Sequence, residues 1–227
     1  MKAINGAPLQ RIVLKDRVSE LIKDAILSGR LEPGDRIVEM KLANGLGVGT
    51  TAVREALFEL ESQGFVTRLT NKGTFVTKLS PGDVEEILRV RRELEGLAVE
   101  LLQQRAEPQN LDKLDAIVAD LRAAAAEGNF QSFYRADLEF HRTLWQLSGN
   151  RFLAKALDIT VVPLFAFFIL KNSRESSDHL QASAQRHAEV IEAVRTGADA
   201  RKCMEAALEF FFEQEQELLF EEKSARA

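Results

Sequence analysis

Residues 40–66, MKLANGLGVGTTAVREALFELESQGFV, read as two helices folded about a tight corner. Leu42, Ala43 and Leu46 give a short apolar face, and Gly45 and Gly47 relieve the backbone. Thr50 or Thr51 can cap a second helix that carries Val53, Ala56, Leu57 and Leu60 at helical spacing. This is the pattern of a helix-turn-helix. The second helix opens with small polar residues and then Arg54. Short side chains permit close approach to a DNA major groove, where an Arg can reach guanine or phosphate. The reading that follows is binding of double-stranded DNA.

Upstream, Val18, Leu21, Ile22, Ala25, Ile26 and Leu27 keep helical spacing up to Ser28-Gly29, which predicts a third helix to cover the hairpin. Leu31 to Asp35 is turn chemistry before a short extended piece at Arg36 to Val38. Phe65 to Leu69 and Thr74 to Lys78 alternate as strands about Asn71-Lys72-Gly73, which predicts a small wing. Lys72 and Gly73 at its tip suit a phosphate backbone or a minor groove. A hairpin packed for stability alone is the competing reading.

With these flanks, about residues 10 to 78 resemble the winged-helix domain of the GntR-type bacterial transcription regulators. That family usually writes Ser-Arg-Thr-Pro-Val-Arg-Glu-Ala-Leu at the turn into its recognition helix, and this chain has Gly49 to Leu57 there. The resemblance implies an operator contact for Arg54. Thr50 stands where the family's first Arg would be, which implies a shifted or relaxed base preference.

Leu79-Ser80-Pro81-Gly82 is a breaker cluster suited to a domain joint, so the expected domains are residues 1–79 and 80–227. Residues 1–79 hold 12 Lys plus Arg against 9 Asp plus Glu, and the remainder 18 against 26. A mildly basic module beside an acidic one fits DNA binding by the first and argues against nucleic acid on the second. The single cysteine, Cys203, has no intramolecular disulfide partner and sits among alanines as a small helical residue. Met1 to Gln10 lacks the apolar core of a signal peptide. The longest apolar run, Ile159 to Leu170, is twelve residues long with a proline inside, too short to span a membrane. It reads as a buried helix or a subunit contact, in a soluble cytoplasmic protein.

Beyond residue 83 six helical segments can be marked, near 83–105, 109–127, 130–148, 150–170, 177–196 and 199–222, with a frayed tail at 221–227. The expected fold is therefore mostly α, an N-terminal winged helix-turn-helix with a small β wing followed by an antiparallel all-helical bundle of about six helices. Polar residues interrupt its apolar stripes. Arg91 and Glu95 lie in the first segment, Asp137 and His141 are i, i+4 neighbours in the third, and His187 centres the stripe of the fifth. His179 falls at a helix start, where a surface role is expected. Buried charges are normally paired or bind something. Two imidazoles and a carboxylate can hold a divalent cation, and Arg91 can clamp a carboxylate ligand. An internal network of Arg91, Glu95, Asp137 and the histidines is the alternative on spacing alone.

Residues 83–212 resemble the effector domain, called FCD, of the FadR subgroup of those regulators, in its VanR-like variant. The match lies in Arg91-Arg92-Glu93-Leu94-Glu95, in Asp137-Leu138-Glu139-Phe140-His141 and in His187. Metal-binding members use one Asp and three His beside a small organic acid. The resemblance therefore implies a zinc, nickel or manganese type of ion on Asp137, His141 and His187, weakened because the last histidine falls on Phe210 or Phe211. The alternative is a metal-free pocket in which Arg91, His141 and His187 hold an anionic metabolite, with Trp145, Phe210 and Phe211 as apolar walls. Two His and one carboxylate also form the ligand set of non-haem iron enzymes. No phosphate-cradling loop, nucleophile triad or CxxC pair accompanies them, so no enzyme is expected. The implied protein is a homodimer on a pseudo-palindromic operator, a repressor released by a small carboxylate or sugar acid through the joint at Leu79 to Asp83.

Overall fold

A computed structural model describes residues 9–27, 30–171 and 177–220, with side chains for 14–27, 30–168 and 177–210. The expected helix end at Ser28-Gly29, the tail at 221–227 and the Phe211 side chain lie outside the described residues. The chain divides into two compact units between Lys78 and Leu79.

In the first unit, α1 (Leu9–Leu27) packs against α3 (Thr50–Ser62), which also packs against α2 (Glu39–Leu46). Val18, Ile22 and Ile26 of α1 meet the buried Val53, Ala56, Leu57 and Leu60 of α3, one stripe of each amphipathic helix closing a three-helix core. The corner between α2 and α3 is turned by Gly47, whose φ of 64° is left-handed and favours a residue without Cβ. The cap of α3 corrects the sequence reading, because extended Gly49 is the N-cap and no side chain caps the helix. Thr50 and Thr51 are its first two residues, so their hydroxyls are spared for other partners.

The wing is a three-stranded antiparallel sheet of β1 (Arg36–Ile37), β2 (Val66–Leu69) and β3 (Gly73–Val76), in the order β1-β3-β2. Leu69 faces Gly73 and Val66 faces Val76 across the hairpin, while Arg36 faces Phe75 on the other edge of β3. Asn71 at φ 61° and Gly73 at φ 108° supply the positive dihedrals of its turn.

The second unit comprises α4 (Pro81–Gln103), α5 (Pro108–Ala126), α6 (Phe130–Leu147), α7 (Arg151–Lys171), α8 (Ser177–Thr196) and α9 (Ala200–Phe220). Helix α4 begins at a capping box. Ser80 Oγ accepts from Asp83 N–H, Asp83 accepts from Ser80 N–H, and Pro81 takes the first turn, where its missing donor costs nothing. Helix α4 packs on α6, α7 and α9, while α5 packs on α6 and α8 and α8 on α9. The aromatic filling is Phe133, Phe140, Trp145 and Phe165, with Tyr134 and Phe168 in a smaller cluster beside Val84. The apolar run in α7 resolves into core: Val161, Val162, Leu164, Phe165, Phe167 and Phe168 are all buried, although Ile159 stands 67% exposed. Among the described residues no helix is long and apolar enough to cross a membrane.

Candidate functional site

Three helices of the second unit bring polar side chains into one buried interior. Arg91 and Glu95 come from α4, Asp137 and His141 from α6 and His187 from α8, all buried to within 7% exposure. Each pair on one helix is spaced i, i+4, which puts both members on the same inward stripe. Unpaired burial of such groups would cost several kcal/mol each, so their partners explain why they are there.

Glu95 is the hub of one side. Its Oε1 accepts from Arg91 Nε at 3.2 Å and from Trp145 Nε1 at 3.1 Å, and its Oε2 lies 3.0 Å from His141 Nδ1. Burial pushes the Glu95 carboxyl up, but the charges of Arg91 and His141 outweigh it and hold the group below the usual carboxylate range. His141 turns its other nitrogen to the chamber, where Arg91 Nη2 meets Nε2 at 2.8 Å. Burial opposes a proton on this ring and Glu95 favours one, with a net rise. Nδ1 thus faces a carboxylate that favours a proton, and Nε2 faces a guanidinium that opposes a second one.

His187 is anchored from behind. Its Nδ1 lies 2.8 Å from the Ser183 carbonyl, so Nδ1–H donates there and Nε2 faces Asp137 Oδ1 at 2.8 Å. His141 Nε2 is 3.4 Å from that same oxygen and 3.4 Å from His187 Nε2. Burial alone would raise the Asp137 carboxyl, yet the charge of His187 and contacts from both histidines hold it far below the ordinary range.

These contacts are close without being well directed. Asp137 Oδ1 makes no hydrogen bond of acceptable geometry, although it is buried and two imidazoles approach it. Three ligand-type atoms of Asp137, His141 and His187 therefore converge, all within 4.8 Å. A tetrahedral ion with bonds of about 2.0 to 2.1 Å separates its ligands by roughly 3.3 Å, close to the spacing found. The set fits a divalent cation with N,N,O ligands, with the Glu95 carboxylate 3.0 Å behind the His141 ring and the Ser183 carbonyl hydrogen-bonded behind the His187 ring. An ion on His141 Nε2 and the Arg91 hydrogen bond to that atom exclude one another.

The chamber is lined by Arg91, Asp137, His141 and His187 with Phe140, Val190, Met204, Ala207 and Leu208 as apolar wall and Arg186 at its edge. The space open to the centre of a water molecule is about 20 Å³, enough for an ion or a water and too small for a metabolite without side-chain movement.

Two expected wall residues lie elsewhere. Trp145 is fully buried but does not line the chamber; its N–H requires a partner in the interior and finds Glu95, so it braces the site from behind. Phe210 stacks on His179 at 5.2 Å with the Arg186 guanidinium 5.5 Å from its ring, and it does not line the chamber. His179 is accordingly half-buried in this stack rather than a bare surface group. Ser183, Arg186 and Met204 were missed, because small, exposed-looking or apolar residues carry no signal until three helices meet.

In the first unit, Thr51, Arg54, Lys72 and Gly73 are exposed and Thr50 is half-buried. Arg54 hydrogen bonds through Nε to Glu39 at the start of α2. Arg68 of the wing lies over the Phe58 ring at 3.7 Å and donates to the Arg54 carbonyl at 3.4 Å. Gly73 lets the Arg36 guanidinium pass, since a Cβ there would sit 3.3 Å from Arg36 Nε.

Comparison with known proteins gives matches over both units. Residues 14–76 match the family model described as bacterial regulatory proteins, gntR family, and residues 86–210 match the FCD domain. A stretch covering 60% of the chain is 34% identical to an uncharacterised HTH-type transcriptional regulator, YdhC, of Bacillus subtilis, and spans 62% of that relative's length. The probable D-xylose utilization operon transcriptional repressor of Paenarthrobacter nicotinovorans is 26% identical over 83% of this chain and 82% of its own. Among solved structures, McbR/YncC of E. coli superposes with a TM-score of 0.70 over 92% of this chain and 98% of that one, at 23% identity, a likeness of fold.

Proposed function

The chain belongs to the GntR family of bacterial regulatory proteins, its second half an FCD domain, and on that premise we propose that this DNA-binding transcription regulator is a repressor released by a small anionic metabolite bound at the Arg91 chamber. The observation that carries the reading is the convergence of Asp137 Oδ1, His141 Nε2 and His187 Nε2 beside a buried guanidinium. A carboxylate or sugar acid can replace the bond between Arg91 and His141 with a charge-assisted pair to Arg91. Asp137, His141 and His187 would hold a zinc, nickel or manganese type of ion, which when bound supplies a positive centre for the ligand's oxygens. With only three protein ligands the remaining positions are left to water or the effector. The α9 side of the chamber offers Met204, Ala207 and Leu208, none of which replaces the family's last histidine.

A single winged helix contacts few base pairs, so two copies on a pseudo-palindrome supply the specificity. Phe152 and Ile159 are 71% and 67% exposed and seven residues apart on α7, a spacing that puts them on one face, and we assign the homodimer contact to that face. The chemistry of the cluster serves binding, in keeping with a family of regulators.

The test is a thermal-shift screen of small carboxylates and sugar acids on the full chain, with and without chelator. A ligand at a hundred times its Kd adds about 2.7 kcal/mol to the folded state. The expected result is a stabilising acid that also weakens DNA binding. No acid moving the melting point in either condition would sink the sensing role.

A further inference from the structure

The residue that decides how Arg54 meets DNA lies on another helix, fifteen positions earlier in the chain. Arg54 projects from the first turns of α3 with its side chain 63% exposed, and Glu39 Oε2 accepts from its Nε. Hydrogen bonding through Nε leaves both terminal Nη groups of Arg54 uncommitted among the described residues. Its backbone is tied as well, because the Arg54 carbonyl accepts from Arg68 Nη2 of the wing. The guanidinium is thus anchored at its root and at its neck while its fork stays free.

Glu39 has no packing reason to be acidic. It is partly exposed, at 29%, beside the Arg54 side chain that the proposed function places at DNA. A carboxylate there opposes sequence-independent attraction to DNA, which is dominated by phosphate charge. Its place in the first turn of α2, where Val38 offers no side-chain cap, gives it a modest helix-dipole role. That role needs only a negative charge and does not explain contact with Arg54 Nε. A floppy Arg samples phosphates and bases alike, whereas one held by Nε presents its two Nη groups together, the fork that matches O6 and N7 of guanine.

We infer that Glu39 is a specificity-determining positioning residue, which holds the Arg54 guanidinium so that its fork reads a guanine edge in place of roaming along the phosphates. This rests on Arg54 as the base-reading residue. With Thr50 in place of a second recognition Arg, the orientation of Arg54 carries a larger share of discrimination.

The experiment uses the full chain. The wild type enriches a preferred duplex from a random pool, and affinities are then measured for that duplex, for versions with single guanine replacements and for an unrelated duplex, at two salt concentrations. Glu39→Ala is expected to bind the unrelated duplex as tightly as wild type or more so, while discrimination at one guanine falls about 10-fold. Glu39→Gln, which keeps an oxygen acceptor for Nε–H, should retain part of that discrimination. In an Arg54→Ala background, Glu39→Ala should change discrimination no further. Undiminished discrimination in Glu39→Ala, or an equal loss with Arg54 already removed, would overturn the assignment. If Arg54→Ala alone leaves discrimination intact while Glu39→Ala reduces it, the base-reading role of Arg54 fails, and with it the positioning role.

Discussion

His141 presents Nδ1 to Glu95 Oε2 at 3.0 Å, while its Nε2 faces Asp137 and His187 on the chamber side. Outer carboxylates of this kind typically carry a 10- to 100-fold share of metal affinity. Glu95→Gln is therefore expected to weaken zinc or nickel binding by about that factor while the bundle stays folded, measured by competition against a calibrated chelator. Unchanged affinity would remove Glu95 from the site.

Arg91 is the counter-charge of a fully buried Glu95. Arg91→Ala should cost roughly 3 to 5 kcal/mol of stability, because it leaves a carboxylate unpaired in the interior. The double variant Arg91→Ala, Glu95→Gln should recover part of that loss, since the stranded charge is gone. Both should lose the effector's thermal shift, and denaturant unfolding separates the two effects. A double variant no more stable than the single one would contradict the pairing.

Asp137 has a carboxyl depressed by His187 and His141 against the upward push of burial. A group depressed in the folded state contributes stability that is present above its unfolded value, about 3.9, and is lost as pH falls through the folded value. Unfolding free energy of the chelated wild type should thus decline as pH is lowered from about 5 to 3. Asp137→Asn should show a shallower decline across the same window. Parallel pH profiles would show that the carboxylate gains nothing from its histidines.

Phe152 and Ile159 expose large apolar surface on α7, and burying each fully is worth about 1.5 to 3 kcal/mol. Phe152→Asp with Ile159→Asp should convert a dimer into monomers in sedimentation velocity, with helix content by circular dichroism unchanged. A dimer of undiminished affinity would move the interface elsewhere.

Arg54 and Lys72 should separate by the kind of contact each makes. Arg54→Ala is expected to cost about 1 to 3 kcal/mol on the preferred duplex and to relax one base position. Lys72→Ala should weaken all duplexes alike and lower the salt slope by about one. Reversal of the two patterns would exchange their roles.

Local physics made much of this protein legible before any coordinates. Periods of 3.6 and 2, and Gly and Asn at positive φ, were enough for the winged helix and for six further helices. The i, i+4 spacing of Asp137 and His141 places them on one face whatever the tertiary fold. What one helix cannot specify is what the next brings to it. That Trp145 braces Glu95, that Phe210 pairs with His179 and that Glu39 reaches Arg54 depends on the rotation and height at which separate helices pack, which the filling of the whole core sets. The chain order thus settled which polar groups each helix carries inward, and only the packing of α4, α6 and α8 decided that Arg91, Asp137, His141 and His187 line one chamber, because buried charges are tolerable only where the fold closes them upon each other.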